Sequence, residues 1–237
     1  MHEFITVKTI EEMGRIGADL FALEIKKKPD LVLGLATGSS PISLYKELVR
    51  MHKEDGLDFS GVRSVNLDEY VGLPTDHPQS YRAFMNEYLF DHINIDPENT
   101  YLPNGMAEDL GEEWKRYDSL VNSLGGIDIQ LLGIGPNGHI GFNEPSDEFS
   151  NHTQVVPLTD ATIDANARFF SDESEVPREA ITLDVRHIMQ AKKIVLVATR
   201  NKEQILRKAL QGNITSQIPA SVLQLHQDLT VIFSEGE

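Results

Sequence analysis

The chain has 237 residues, 40% of them hydrophobic and 24% charged, with a formal net charge of −16 and no cysteine. That length is enough for one large domain with a substantial core, and no apolar run approaches the roughly 20 residues that span a bilayer, so a membrane is not an expected partner. The acidity argues against nucleic acid, whose phosphates call for clustered Lys and Arg, and the missing cysteines exclude disulfides, thiolate nucleophiles and Cys-based zinc sites.

The N-terminal stretch MHEFITVKTIEEMG has neither a basic start nor an apolar centre, so no secretory leader is expected and a cytoplasmic location is. A first helix is predicted from Thr9: Thr9 and Glu12 have capping-box spacing, and Ile10, Met13, Ile16, Leu20 and Leu23 recur at helical intervals. Lys26 to Lys28 suit the negative end of its dipole, and Pro29-Asp30 ends it. LVLGLA (31–36) then reads as a buried parallel strand, the first in the chain. TGSSP leads into a helix near 41–53, with Ser40 as N-cap and Pro41 at its first position. VRSVNL (62–67) is a predicted strand and SYRAFMNEYLFDHI (80–93) a helix capped by Ser80. A helix near 109–124, stopped at Gly125-Gly126, precedes the strand IDIQLLGI (127–134). The strand KKIVLVAT (192–199), the helix KEQILRKALQ (202–211) stopped by Gly212, and the strand DLTVIF (228–233) complete the series.

Strands and helices alternating in this way predict an α/β fold, a mostly parallel central sheet with helices on both faces. With no repeat, low-complexity tract or linker, residues 1–237 are expected to form a single domain. Ligands of such sheets bind outside the carboxyl ends of the strands, which directs attention to the loops 36–41, 67–72 and 134–145.

The third loop follows Gly133-x-Gly135-x-x-Gly138, the spacing of a dinucleotide-binding turn. That reading needs a helix opening directly after the last glycine, and HIGFNEP, with Gly141 and Pro145, allows none. ATGSSP likewise lacks the ending of a nucleotide-binding P-loop. What Thr37, Gly38, Ser39 and Ser40 do offer is a set of amides and hydroxyls before a helix, which suits one phosphate and equally suits an ordinary βα turn. Asp68 and Glu69 leave a strand on opposite sides, so one of them is expected in the crevice. His139 lies in the glycine-rich loop, with Glu144 placed to orient its ring. Metal-ligand spacing is absent, since HIGFNE is not HExxH and no second histidine is suitably placed. Arg168 and Lys202 are candidate phosphate partners; Lys202 adds positive charge to the positive end of its own helix, which an anion would offset.

The motifs LGLATGSSP, VNLDEYVGL, HPQSYRAFM, GIGPNGHIGFNEP, ANARFF and LQLH, in that order from about Leu31 to Asp228, resemble the glucosamine-6-phosphate deaminase family. The resemblance implies the modified Rossmann-like fold shared by these deaminases and the phosphogluconolactonases. It also implies conversion of glucosamine 6-phosphate and water to fructose 6-phosphate and ammonia, with no metal or organic cofactor. On that likeness His139 opens the sugar ring, Glu144 orients it, Asn137 joins the proton-handling group and Asp68 carries the proton from C2 to C1. Thr37, Gly38, Ser39 and Ser40, with Arg168 and Lys202, match the family's phosphate cradle, and the segment near 154–183 corresponds to its lid.

Three departures distinguish this chain from the long, hexameric branch of that family. Asn137 replaces an aspartate, Asn151, His152, Gln154 and Val156 replace basic ligands of an allosteric pocket, and the sequence ends at Glu237 without an extension. The expectations are a monomer or small homo-oligomer, hyperbolic kinetics and no activation by N-acetylglucosamine 6-phosphate. A 6-phosphogluconolactonase-like hydrolase and a non-enzymatic sugar-phosphate sensor are the alternatives. The sensor needs a DNA-binding module, and the acidic residues before the first predicted strand, with one amphipathic helix, do not fit a helix-turn-helix.

Overall fold

The computed structural model describes residues 2–159, 162, 163, 167, 170, 172 and 175–236. Its main sheet holds seven strands, all parallel, in the order β1-β10-β9-β6-β2-β3-β5. These are β1 (His2–Val7), β2 (Val32–Leu35), β3 (Arg63–Asn66), β5 (Thr100–Tyr101), β6 (Ile129–Leu132), β9 (Lys193–Thr199) and β10 (Leu229–Ser234). A second, antiparallel sheet runs β4-β8-β7, from β4 (Asp68–Tyr70), β8 (Glu179–Thr182) and β7 (Gln154–Pro157). The helices are α1 (Ile10–Lys27), α2 (Ile42–Asp55), α3 (Tyr81–Tyr88), α4 (Leu110–Ser123), α5 (Val185–Gln190) and α6 (Glu203–Gln211).

Period-two alternation divides the strand side chains between two cores. Leu33, Leu35, Val195 and Val197 join Phe21 and Ile25 of α1 and Leu44 and Leu48 of α2. Val32, Ile194, Leu196 and Ala198 face the other way, onto Tyr117 and Val121 of α4 and Leu206 and Ala209 of α6. Each fully buried aliphatic side chain contributes about 1.5–3 kcal/mol. Lysine bridges such as Lys28 and Lys192 to Asp128, both 2.7 Å with the lysines substantially exposed, contribute about 0–1 kcal/mol each. Apolar burial therefore holds the sheet between its helices.

Several predicted boundaries change. Thr9 caps α1 through the Glu12 amide at 3.1 Å, but Glu12 reaches back to the Lys8 amide at 2.8 Å, one residue short of a closed capping box. Ser40 is not the cap of α2: Pro41 occupies that position, makes no side-chain capping bond, and Ile42 begins the helix. Ser80 does cap α3, accepting from the Ala83 amide at 3.0 Å. The helix expected over 80–93 stops at Tyr88, because Leu89 leaves helical geometry at φ −142° before a short 3-10 turn. The first strand is β1, not residues 31–36; its residues are mostly exposed at the sheet edge, so no apolar run marked it. Strands β4, β5, β7 and β8 and helix α5 were not foreseen either.

Candidate active site at the sheet switch point

From β2 the chain builds outward through β3 to β5, then returns to β6 and builds the other way through β9 to β10. The reversal falls between β2 and β6, and the crevice beyond their carboxyl ends is where such a sheet binds ligands. Loop 36–41 leaves β2 on one side and loop 133–145 leaves β6 on the other. The turn bearing Lys202 leaves β9 beside β6.

In the first loop Gly38 takes φ +99°, a left-handed conformation that favours glycine. Gly38 and Ser39 are exposed and Thr37 and Ser40 half-buried, so the loop presents itself at the mouth of the crevice. Its root is rigid. The Tyr45 hydroxyl, buried under α2, donates to the Ala36 carbonyl at 2.5 Å and accepts from the Ala36 amide at 3.2 Å. Lys202 is the N-cap residue of α6 and forms no ion pair with any described residue; partial burial lowers its ammonium pKa. Arg168 lies outside the described residues, as does much of the segment between β7 and β8. The described ends of the expected lid are these two strands, and β8 pairs with both β4 and β7.

Residues 133–145 contain no helix, in keeping with the case against a dinucleotide site. They fold instead into a tight turn in which the Gly135 amide donates to the His139 carbonyl at 2.9 Å. A β-carbon at Gly135 would fall 2.1 Å from His139 Nε2, so the imidazole occupies the space a side chain there would take. His139 Nδ1 is buried 2.9 Å from Glu144 Oε1, an ion-pair contact whose angle falls short of a hydrogen bond. Glu144 Oε2 accepts from Asn137 Nδ2 at 2.6 Å, and Asn137 Oδ1 accepts from the His139 amide at 3.2 Å. Burial alone would raise the Glu144 carboxyl, but His139 and the Asn137 amide outweigh it and hold the carboxyl below its usual value. The three residues form one linked group.

Asp68 and Glu69 part company as strand geometry requires. Glu69 accepts from the amides of Tyr70, Tyr81 and Arg82, each at 2.9 Å, and so anchors the start of α3. Asp68, 6% exposed, lies on the crevice side: a β-carbon at Gly141 would stand 3.5 Å from Asp68 Oδ2 and 3.1 Å from Thr182 Oγ1. Burial first, and the neighbouring Glu69 charge second, push the Asp68 carboxyl up to about 8. Gly141, at φ +59°, thus lets the histidine loop approach the aspartate strand. Thr182 holds the approach: it is the cross-strand partner of Asp68 and accepts from the Phe142 amide at 3.0 Å. Asn143 adds bonds to the Ile140 and Leu183 carbonyls at 3.0 and 2.8 Å. Tyr81, stacked parallel to Phe142, lines the same region and bonds to Tyr70 at 3.1 Å. Thr182 and Tyr81 were not singled out from sequence; Tyr81 stood inside a quoted motif, whereas nothing local marks Thr182.

A groove of about 670 Å³ lies elsewhere, between α6 and the β1–β10 edge. Its lining, which includes Phe4, Leu206 and Phe233, contains none of the candidate site residues.

The sheet, its switch point and a polar, glycine-shaped crevice define an α/β protein of the kind that binds small ligands at strand ends. Residues 8–232 match the family of glucosamine-6-phosphate isomerases/6-phosphogluconolactonase, and the chain belongs to it. Glucosamine-6-phosphate deaminase of Clostridium perfringens (strain SM101 / Type A) is 53% identical over 98% of this chain and 96% of its own. That of Thermoanaerobacter sp. (strain X514) is 51% identical over 99% and 93%. A solved monomeric glucosamine-6-phosphate deaminase aligns with a TM-score of 0.95 at 46% identity, over 98% of this chain and 97% of its own. The 6-phosphogluconolactonase of Thermotoga maritima aligns at 0.79 with 17% identity over 100% of both chains, a likeness of fold alone.

Proposed function

We propose that this protein is a glucosamine-6-phosphate deaminase, converting glucosamine 6-phosphate and water into fructose 6-phosphate and ammonia without a metal or organic cofactor. The observation that supports the reading is the approach of the loop bearing His139 to Asp68: a β-carbon at Gly141, two residues beyond His139, would stand 3.5 Å from Asp68 Oδ2. Isomerisation of an amino sugar needs both a ring-opening group and a base at C2.

In this reading His139 takes the proton of the O1 hydroxyl and delivers it to the ring oxygen, opening the ring. Glu144, itself held by Asn137, keeps the imidazole in place. Asp68 in its ionised form removes the C2 proton and returns it to C1, which leaves nitrogen on C2 as an iminium. Water adds to that carbon and ammonia departs. The phosphate sits on the amides and hydroxyls of Thr37, Gly38, Ser39 and Ser40 at the entrance to α2, with Lys202 and Arg168 supplying charge. In an acidic chain this local positive field is what admits an anionic substrate. Residues 1–237 act as one domain, as a cytoplasmic monomer or small homo-oligomer that N-acetylglucosamine 6-phosphate does not activate.

The test is to incubate the protein with glucosamine 6-phosphate and quantify ammonia and fructose 6-phosphate together. Equal amounts, in the presence of chelator, support the assignment. Binding without product, or turnover of 6-phosphogluconolactone instead, overturns it. Asp68→Asn is expected to bind the substrate and release neither product, and near-normal turnover by that variant would remove Asp68 from its role.

A further inference from the structure

A buried carboxylate is ordinarily paired or hydrogen-bonded. Asp68 is neither: among the described residues no cation and no hydrogen-bond donor reaches its carboxyl group. Among the described residues, the tyrosines that register its charge, and Glu69 with its own neighbour Arg82, are otherwise engaged. On its own strand, Glu69 is taken up by three backbone amides. From α3, Arg82 turns away to the Thr100 hydroxyl and carbonyl, at 2.7 and 2.8 Å. Tyr45 from α2 donates to the Ala36 carbonyl, and Tyr117 from α4 donates to the Asn66 carbonyl at 2.7 Å. Tyr81 from α3 bonds to Tyr70. Burial first, and the Asp68 carboxylate as a lesser contribution, raise all three tyrosines, so each senses the carboxylate and none neutralises it. Opposite, on β8, the Thr182 hydroxyl is directed at the Leu183 carbonyl and accepts from the Phe142 amide.

We propose that the substrate's own C2 ammonium is the counter-ion that no described residue gives this carboxylate. It docks against Asp68 and drives the carboxyl into the ionised form that proton abstraction requires. The inference rests on the deaminase reading and adds to it the determinant of amino-group selectivity. Binding is then an exchange: the neutral carboxyl releases its proton to solvent, the ammonium keeps its three, and an ion pair forms in the crevice. A sugar phosphate bearing a hydroxyl or an N-acetyl group at C2 brings no cation, leaves the base protonated and is not isomerised. The same arrangement keeps the base neutral while the crevice is empty, in line with the upward displacement that burial and Glu69 impose on it.

The test is proton release on binding, measured by titration calorimetry at pH 7 in buffers of different ionisation enthalpy. The probes are two open-chain ligands that cannot isomerise, 2-amino-2-deoxyglucitol 6-phosphate and glucitol 6-phosphate; their shared phosphate cancels in the comparison. The amino ligand is expected to release close to one proton more than the hydroxyl ligand. Its affinity advantage should grow about tenfold between pH 6 and 7, the dependence of a one-proton exchange. In Asp68→Asn the difference in proton release should vanish while both ligands still bind. Equal release by the two ligands in the unaltered protein overturns the proposal, as does a difference that survives in Asp68→Asn. The deaminase reading fails separately, through absent turnover of glucosamine 6-phosphate, so normal turnover with equal proton release would remove only the ammonium coupling.

Discussion

Among the described residues two histidines, His139 and His187, stand against carboxylates, and their surroundings differ more than their chemistry. His139 and Glu144 lie in a loop beyond β6, with side chains 21% and 19% exposed, at the edge of the crevice. His187 and Asp184 lie in the first turn of α5, 2% and 0% exposed, where the imidazole donates to the carboxylate that caps the helix. Asp118 of α4 stands 3.7 Å from the same ring nitrogen and accepts from the Thr153 amide at 3.0 Å, just before β7. Arg186 approaches both carboxylates at 3.9 Å. The second pair therefore ties α4, α5 and the start of the small sheet together, and His187 Nε2 is sealed from solvent with no hydrogen-bond partner among the described residues. Residue type alone does not make a proton shuttle: a group that must exchange protons with a ligand has to be reachable, and one that braces a fold is best kept dry.

Mutation of each pair should separate these roles. His139→Gln is expected to reduce kcat/KM by about 10²–10⁴, the usual worth of a general acid–base group, with the melting temperature nearly unchanged. The loss should be larger for the closed-ring substrate than for an open-chain form, and equal losses would argue against ring opening. Asp184→Ala should do the reverse, costing about 3–5 kcal/mol of stability by leaving buried partners unpaired. Its folded fraction, assayed at low temperature, should keep kcat/KM within a few-fold of the parent. A catalytic collapse in Asp184→Ala with normal denaturant unfolding would break the distinction.

Asp68 sharpens the comparison as a buried carboxylate with no hydrogen-bond or ion-pair partner among the described residues. Its pKa is raised on folding, so the proton it holds favours the folded state at low pH. That contribution is complete below the ordinary carboxylate range near pH 4 and disappears as the pH rises to about 8. Asp68→Asn should therefore be indistinguishable in stability from the parent near pH 4 and more stable by a few kcal/mol at pH 8, by the usual conversion of a pKa shift. Denaturant melts at both values check it, and a constant difference would show the carboxyl to be solvated. The smallest effect is expected at Glu144. Its carboxyl is depressed, so the stability it contributes is present above the ordinary glutamate range and fades as the pH falls below it. Being partly exposed, it should change stability by under about 1 kcal/mol in Glu144→Gln, while turnover falls about tenfold through loss of ring orientation.

Most of the site was legible as short segments of chain. TGSSP, NLDEY and GPNGHIGFNEP each carry glycines, prolines and polar residues that strand propensity does not explain, at the ends of buried apolar runs. The main sheet was legible for a related reason: strands buried on both faces write largely apolar runs, and β2, β6, β9 and β10 do so with few interruptions such as Gln130 and Thr230. The strands that were missed are short, edge-lying or half-exposed. β1 has five of its six residues outside the buried class, β5 has two residues, and β7 has no buried residue. β1 and β4 have a further handicap: their partners, β10 and β8, lie more than a hundred residues along the chain, where no local pattern can report them.

The sequence by itself determined the alternation of elements, the glycine- and serine-rich turn before α2, the splitting of Asp68 from Glu69, and the placing of Glu144 beside His139 in one loop. Each follows from neighbours in the chain, through helix capping, strand alternation and the backbone freedom of glycine. Only the tertiary structure decided that β8 lies beside β4, so that Thr182 bridges the histidine loop to the strand of Asp68, and that three tyrosines from α2, α3 and α4 close around that aspartate without offering it a counter-charge. A buried carboxyl's protonation depends on everything packed within a few ångströms of it, and those groups come from parts of the chain that meet only when it folds.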